Sequence, residues 1–161
     1  MKITGRSAVF TVVGAALSTV GLAAPATADV PASAGASGTA VTVHHRGDGT
    51  RPPAVLGDPS EWGVVTFAMD AATKSVSPRA RTCLSPSSGG TWCFGWYARE
   101  VSPGVFNKYC YSNYLHATRG HSSTVKIAGS TRRAHAPAGD VSQANLTRGL
   151  GYTCSTYYSV D

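Results

Sequence analysis

Few side chains in this 161-residue sequence are placed to do covalent chemistry. His116 and His121 lie five apart across a turn. As metal ligands they would need a third donor such as His135, in a spacing that matches no zinc pattern. The acids from residue 89 onward are Glu100, Asp140 and Asp161, a poor source of a general acid and base flanking one bond. Serine is abundant, but no GxSxG elbow presents one as a nucleophile. The four cysteines, Cys83, Cys93, Cys110 and Cys154, are spaced by 10, 17 and 44 residues and contain no CxxC pair of the zinc-binding kind. Asn145-Leu146-Thr147 fits the glycosylation sequon, a short pattern common by chance. These residues predict no catalytic group, no metal and no cofactor. What remains is binding. Seven basic residues lie between 89 and 161, and eleven of the fourteen aromatic residues lie between Trp92 and Tyr158. Such a set suits a polyanion or a lipid-linked phosphate, gripped by cations and by stacking or apolar packing. Nucleic acid is a poor fit, because the excess of positive charge is modest.

That excess has a definite location. The whole chain carries a formal charge of +6, of which Lys2 and Arg6 supply two. Lys2 and Arg6 precede an apolar run from Ala8 to Ala24, and Pro25-Ala26-Thr27-Ala28 follows with small residues spaced for a signal peptidase. The run is about 17 residues, short of the ~20 a membrane span takes. Residues 1–28 therefore read as a signal peptide and the protein as secreted. Residues 29–88 hold five basic and five acidic residues, and residues 89–161 hold seven against three. The charge of +4 left after export sits entirely in the C-terminal part.

Residues 29–60 are rich in Ala, Gly, Ser, Thr and Pro, and read as a disordered linker or propeptide. Trp62-Gly63-Val64-Val65-Thr66-Phe67 is a short β-prone run, expected as an extra strand of the folded part. Residues 70–81 return to polar linker character, with Pro78-Arg79-Ala80-Arg81 as a weak second processing motif. Residues 61–161 are thus the expected folded domain. From Cys83 onward the period is two rather than 3.6. Trp92, Phe94 and Trp96 alternate with their neighbours, and Tyr109, Tyr111 and Leu115 oppose Phe106, Cys110 and Tyr114. Turn signals separate such runs, at residues 86–90, Pro103-Gly104, Arg119-Gly120 and Gly129-Ser130. Short alternating strands at this spacing predict an all-β, antiparallel sandwich. Residues 140–150 are ambiguous and admit a short helical turn.

In an exported chain four cysteines read as two disulfides, with three possible connectivities. Cys83 and Cys93 are symmetric about Ser88, so a hairpin folded there sets them opposite one another. That favours Cys83–Cys93 and leaves Cys110 with Cys154. Two staples of roughly 2–4 kcal/mol each matter in a domain with a thin core.

One ordered series is more specific than composition. Gly90-Thr91-Trp92 is followed by Gly95, then by Tyr111-Ser112-Asn113-Tyr114-Leu115-His116, then by His121-Ser122-Ser123-Thr124-Val125. The chain closes on Ala138-Gly139, Ala144 and Tyr157-Tyr158. The series resembles the lactococcin 972 family of bacteriocins, with its GTWxxG, YSNYxH and HSxTV segments and terminal Tyr-Tyr, across residues 89–160. The resemblance implies a secreted antimicrobial protein with a compact β-sandwich, acting at the bacterial envelope. It also implies engagement of lipid II, the cell-wall precursor, with septum formation blocked and no pore formed. The cysteines, the 62–88 extension and a longer loop at 97–105 depart from the family pattern.

On that reading Lys108, Arg119 and Lys126 would meet the pyrophosphate. Trp92, Tyr111 and Tyr114 would shape the contact, with His116 and His121 as hydrogen-bond donors. The expected partners are the target cell's envelope, signal peptidase during export, and an immunity or transporter protein. The alternative is a secreted binding module without killing activity, either a cell-wall-associated protein or a protease inhibitor using residues 98–104 as an exposed reactive loop.

Overall fold

A computed structural model describes residues 40–68 and 81–161. The expected signal peptide (1–28), the first part of the expected linker (29–39) and most of the second processing motif (78–80) lie outside the described residues. Period-two patterning dominates the described chain. The strands are β1 (Val41–His45), β2 (Glu61–Phe67), β3 (Thr82–Leu84), β4 (Thr91–Ser102), β5 (Val105–Leu115), β6 (His121–Ile127), β7 (Ser130–Ala136), β8 (Val141–Gly149) and β9 (Cys154–Val160), with a 3-10 turn at Ala54–Leu56. They form two antiparallel sheets, one ordered β1-β2-β9-β6-β7 and the other β3-β4-β5-β8. This is the two-layer arrangement that alternating strands predict.

Alternate residues of each sheet fill the space between the layers. From the four-stranded sheet come Trp92, Phe94, Trp96, Cys110, Tyr114 and Ala144; Val65, Phe67, Val125, Ile127, Tyr158 and Val160 answer from the other. Trp92 is the centre. Its ring lies 4.1 Å from that of Phe94 and 4.9 Å from that of Tyr158. Its indole N–H donates to Ser112 Oγ at 2.9 Å, and that hydroxyl donates to the Tyr157 carbonyl at 2.8 Å. A buried polar edge is thus satisfied by a chain that crosses between the sheets.

The disulfides pair Cys83 with Cys93 and Cys110 with Cys154. The first joins opposed residues of the β3–β4 ladder, with Cα atoms 4.1 Å apart. The second ties β5 to β9 and hence sheet to sheet, with Cα atoms 6.4 Å apart.

Three segments depart from the sequence expectation. From residue 40 onward the stretch expected as linker enters the fold. Val41–His45 pairs with β2 as an edge strand, and Leu56 is buried at 2 % exposure. Five β-prone residues suffice because β2 offers them a ready edge. Residues 140–150, where a helical turn was admissible, are almost wholly strand β8, paired with β5 from Leu115↔Val141 to Asn107↔Gly149. Here Ser142 and Ala144 alternate inward with too little apolar content to show the period. The expected loop at 97–105 is mostly ladder, since β4 and β5 stay paired out to Ser102↔Val105 around the Pro103-Gly104 turn.

Candidate functional site

The eight expected binding residues do not form one patch. Trp92 and Tyr114 are fully buried, and the Tyr114 hydroxyl donates to the Gly89 carbonyl at 2.8 Å. Burial pushes that phenol up to about 12. His116 is buried: Nε2 bonds the Ser88 carbonyl at 2.9 Å, and Nδ1 accepts from the Arg119 backbone N–H at 3.1 Å. His121 is buried too, with Nδ1 and Nε2 each 2.9 Å from a carbonyl, those of Arg119 and Tyr114. Its ring donates to one of them when neutral and to both when protonated. Both histidines therefore lock the β5–β6 turn to its surroundings, with their ring nitrogens occupied. Arg119 donates to Ser60 Oγ at 2.7 Å and to the Asp161 carbonyl. Lys126 is exposed on the outside of the five-stranded sheet.

Lys108 faces inward from β5 and is fully buried. Its ammonium donates to the Tyr152 carbonyl at 2.5 Å and sits 4.8 Å from the centre of the Trp96 ring. Desolvation lowers the amine below the usual lysine value. The ring and the carbonyl supply the electron density that a carboxylate would otherwise provide. Of the eight residues, only Tyr111 lies on the outer face of the four-stranded sheet.

That outer face carries the most distinctive surface chemistry. Because Trp96, Lys108 and Cys110 point inward, Tyr97, Tyr109 and Tyr111 point out. The Tyr97 and Tyr109 rings stack at 4.7 Å, and Tyr111 lies 6.3 and 6.4 Å from them. Gly95 makes room for this, since a Cβ there would meet Tyr111 Oη at 2.9 Å. Partial burial raises the Tyr109 and Tyr111 phenols above their ordinary value, so these two keep their protons at neutral pH. Arg99 projects from the same face, and Arg81 reaches Cys93 Sγ there at 3.3 Å. Asn113, Gln143 and Asn145 fill the neighbouring outward positions, and none of the outward residues of β4, β5 and β8 is acidic. Phenol rings, side-chain amides and guanidinium groups together can stack on a sugar and bind a phosphate. Sequence reasoning missed Tyr97 and Tyr109 as surface groups, although the parity opposed to Trp92, Phe94 and Trp96 marked them.

At the opposite end of the sandwich Glu61 is buried. Its Oε2 accepts from Ser87 Oγ at 2.5 Å and Ser88 N–H at 3.0 Å, and its Oε1 from Ser88 Oγ at 2.8 Å and Tyr158 Oη at 2.7 Å. Burial by itself would raise this carboxyl. The bonds from Ser87, Tyr158 and Ser88, with His45 nearby, outweigh it and leave the pKa lowered. Ser87 Oγ is also 3.5 Å from His45 Nε2, but its short bond runs to the carboxylate. A serine nucleophile would instead donate to the histidine. The arrangement clamps the 86–90 turn onto β2 and β9. Residues 98–104, the expected reactive loop, form an exposed hairpin end, ladder-paired as far as the Pro103-Gly104 turn.

The fold and this face define a small, disulfide-stapled β-sandwich with a basic, tyrosine-lined outer face. Residues 88–158 match the family model described as Bacteriocin (Lactococcin_972), in agreement with the resemblance that the GTW, YSNYxH and HSxTV segments carry. The match supports a bacteriocin-like antimicrobial role. The comparisons with curated proteins and with solved structures gave no match. Among the described residues no helix is long and apolar enough to cross a membrane.

Proposed function

We propose that the protein is secreted and acts at the envelope of competing bacteria by binding the cell-wall precursor lipid II, so that septum formation is blocked. The observation that carries this reading is the family match over residues 88–158, which spans the strands that build the tyrosine face. The precursor offers a disaccharide and a pyrophosphate. Tyr97, Tyr109 and Tyr111 would stack on the sugar, with Asn113 and Asn145 within reach of its hydroxyls. Arg81 and Arg99 would take the phosphates in place of Lys108, Arg119 and Lys126. Binding of this kind needs no bond-breaking step in the protein. Signal peptidase would act in export, and an immunity or transporter protein would protect the producer.

The test is capture of lipid II by the purified protein, with Tyr97→Ala and Tyr111→Ala variants alongside. Loss of one stacking ring weakens binding by about 1 kcal/mol or more, roughly fivefold. Full retention of binding by a Tyr97→Ala/Tyr111→Ala double variant would remove the face from the account. Absence of binding by the folded wild-type protein would remove lipid II.

A further inference from the structure

The β4–β5 hairpin projects past its neighbouring strands β3 and β8. β3 pairs with β4 only at residues 92–94, and β8 leaves β5 at Asn107↔Gly149, so residues 100–106 have only each other as ladder partners. The register shifts between Glu100 and Ser102, leaving Val101 outside the pairing. On this unsupported tip Val101 is 47 % exposed, Val105 52 % and Phe106 43 %, and Tyr152 at 53 % stands beside it in the connection between β8 and β9. Three apolar side chains displayed on a hairpin tip contribute nothing to the core.

The charges are sorted along the same axis. Arg99, Arg148, Arg132 and Lys126 are exposed at the tip end. Arg99 occupies the row next to Phe106, and Arg148 pairs with Lys108 one row further back. Arg148 reaches Ser130 Oγ at 2.8 Å, where the β6–β7 turn closes. Among the described residues the one acid at this end is Glu100, and its carboxylate already accepts the Gly104 backbone N–H at 2.8 Å. Asp48, Asp58, Glu61, Asp140 and Asp161 all lie at the other end, near the β5–β6 turn and the C-terminus. Arg46, Arg51, Arg119 and Arg133 offset most of those acids, so the net positive charge of the described residues sits at the tip end, as a cationic collar around an apolar point.

We propose that this hairpin tip is a docking element for an anionic lipid bilayer, with Val101, Val105, Phe106 and Tyr152 entering the interface and the collar facing the headgroups. Apolar area and cations act together in such binding, and each arginine near an anionic surface contributes about fivefold. The collar matches the negative charge of the surface, and the near-neutral far end leaves the tip as the end that such a surface attracts. Arginines beside a short apolar wedge can keep their heads among phosphates while their stems lie along the acyl boundary. The tip adjoins the tyrosine face through Arg99, so docking would hold that face at headgroup level. The proposal does not depend on lipid II being the ligand.

The test is flotation of the purified protein with phosphatidylglycerol-containing vesicles and with phosphatidylcholine vesicles, neither carrying a wall precursor. The expected result is co-flotation with the anionic vesicles that weakens as salt rises, and little with the zwitterionic ones. Val105→Ser/Phe106→Ser is expected to bind at least tenfold more weakly, Arg99→Gln about fivefold more weakly, and Leu115→Ser, an exposed apolar site at the other end, as wild type. Near-ultraviolet circular dichroism verifies that each variant is folded. No binding to anionic vesicles, equal binding to both kinds, or an unchanged affinity of the folded Val105→Ser/Phe106→Ser variant would overturn the proposal. Because the vesicles hold no precursor, none of these results bears on lipid II recognition.

Discussion

Replacement of Glu61 tests whether the buried carboxylate clamps the two sheets to the 86–90 turn. Glu61→Ala removes the acceptor of four donors at once. Ser87 is exposed and re-pairs with water, but the Tyr158 hydroxyl is buried and the Ser88 N–H half-buried. Two stranded donors at about 1–3 kcal/mol each, with allowance for partial relaxation, give a loss of about 3–4 kcal/mol. For a fold of this size that is roughly 12–16 °C in melting temperature. Glu61→Gln keeps one oxygen for Ser88 N–H, and its NH2 can donate to hydroxyls that reverse, so its loss is about 1–2 kcal/mol.

The pH dependence has a definite sign. The folded-state value lies below the reference of 4.5, so the carboxylate's contribution is complete above that pH and is lost as pH falls through the folded value. Thermal unfolding followed by circular dichroism, with disulfides intact, from neutral pH down through the carboxylate range is the assay. Wild type should lose its advantage over Glu61→Gln below pH 4.5. A Glu61→Ala protein melting within about 3 °C of wild type, or identical pH profiles for wild type and Glu61→Gln, would refute the reasoning.

Other perturbations have equally definite outcomes. Gly63→Ala would place a Cβ 2.2 Å from Tyr158 Cε1; the Tyr158 ring is held by its bond to Glu61, so denaturant titration should show a loss of about 2–3 kcal/mol. Removing the Cys110–Cys154 bridge opens a loop of 44 residues and removing Cys83–Cys93 one of 10; equilibrium unfolding of the two double-serine variants should show losses of about 4 and about 3 kcal/mol on the chain-entropy account. Lys108→Met keeps the packing over Trp96 without a desolvated ammonium, and should be at least as stable as wild type in the same titration. Because the folded Lys108 value is lowered from 10.5, wild type should also gain stability as pH rises toward 10.5, and Lys108→Met should lack that gain.

The strands were legible wherever large apolar residues alternate, as in Trp92-Phe94-Trp96 or Val125-Ile127. β8 escaped because serine and alanine fill its inward positions, and β1 because five residues in a Pro- and Gly-rich stretch carry little periodic signal. The symmetric spacing of Cys83 and Cys93 about Ser88 made the disulfide pattern readable. The site was harder. The family-like segments mostly hold the fold together: Trp92, Ser112, Tyr114, His116 and His121 all spend their polar groups on internal bonds. Chemical type marked Trp92, Tyr114, His116 and His121 as binding residues, and only the packing shows that they face inward. Glu61 gave no signal, because its partners lie 26, 27 and 97 residues away in sequence.

The account rests on this domain being an antimicrobial protein, and a growth-inhibition spot assay of the purified, oxidised protein against a panel of related bacteria tests that directly. The predicted result is a zone of inhibition on at least one strain that disappears when both disulfides are reduced and shrinks with Tyr97→Ala/Tyr111→Ala. A protein with intact near-ultraviolet circular dichroism that inhibits none of the panel at any concentration tested would contradict it.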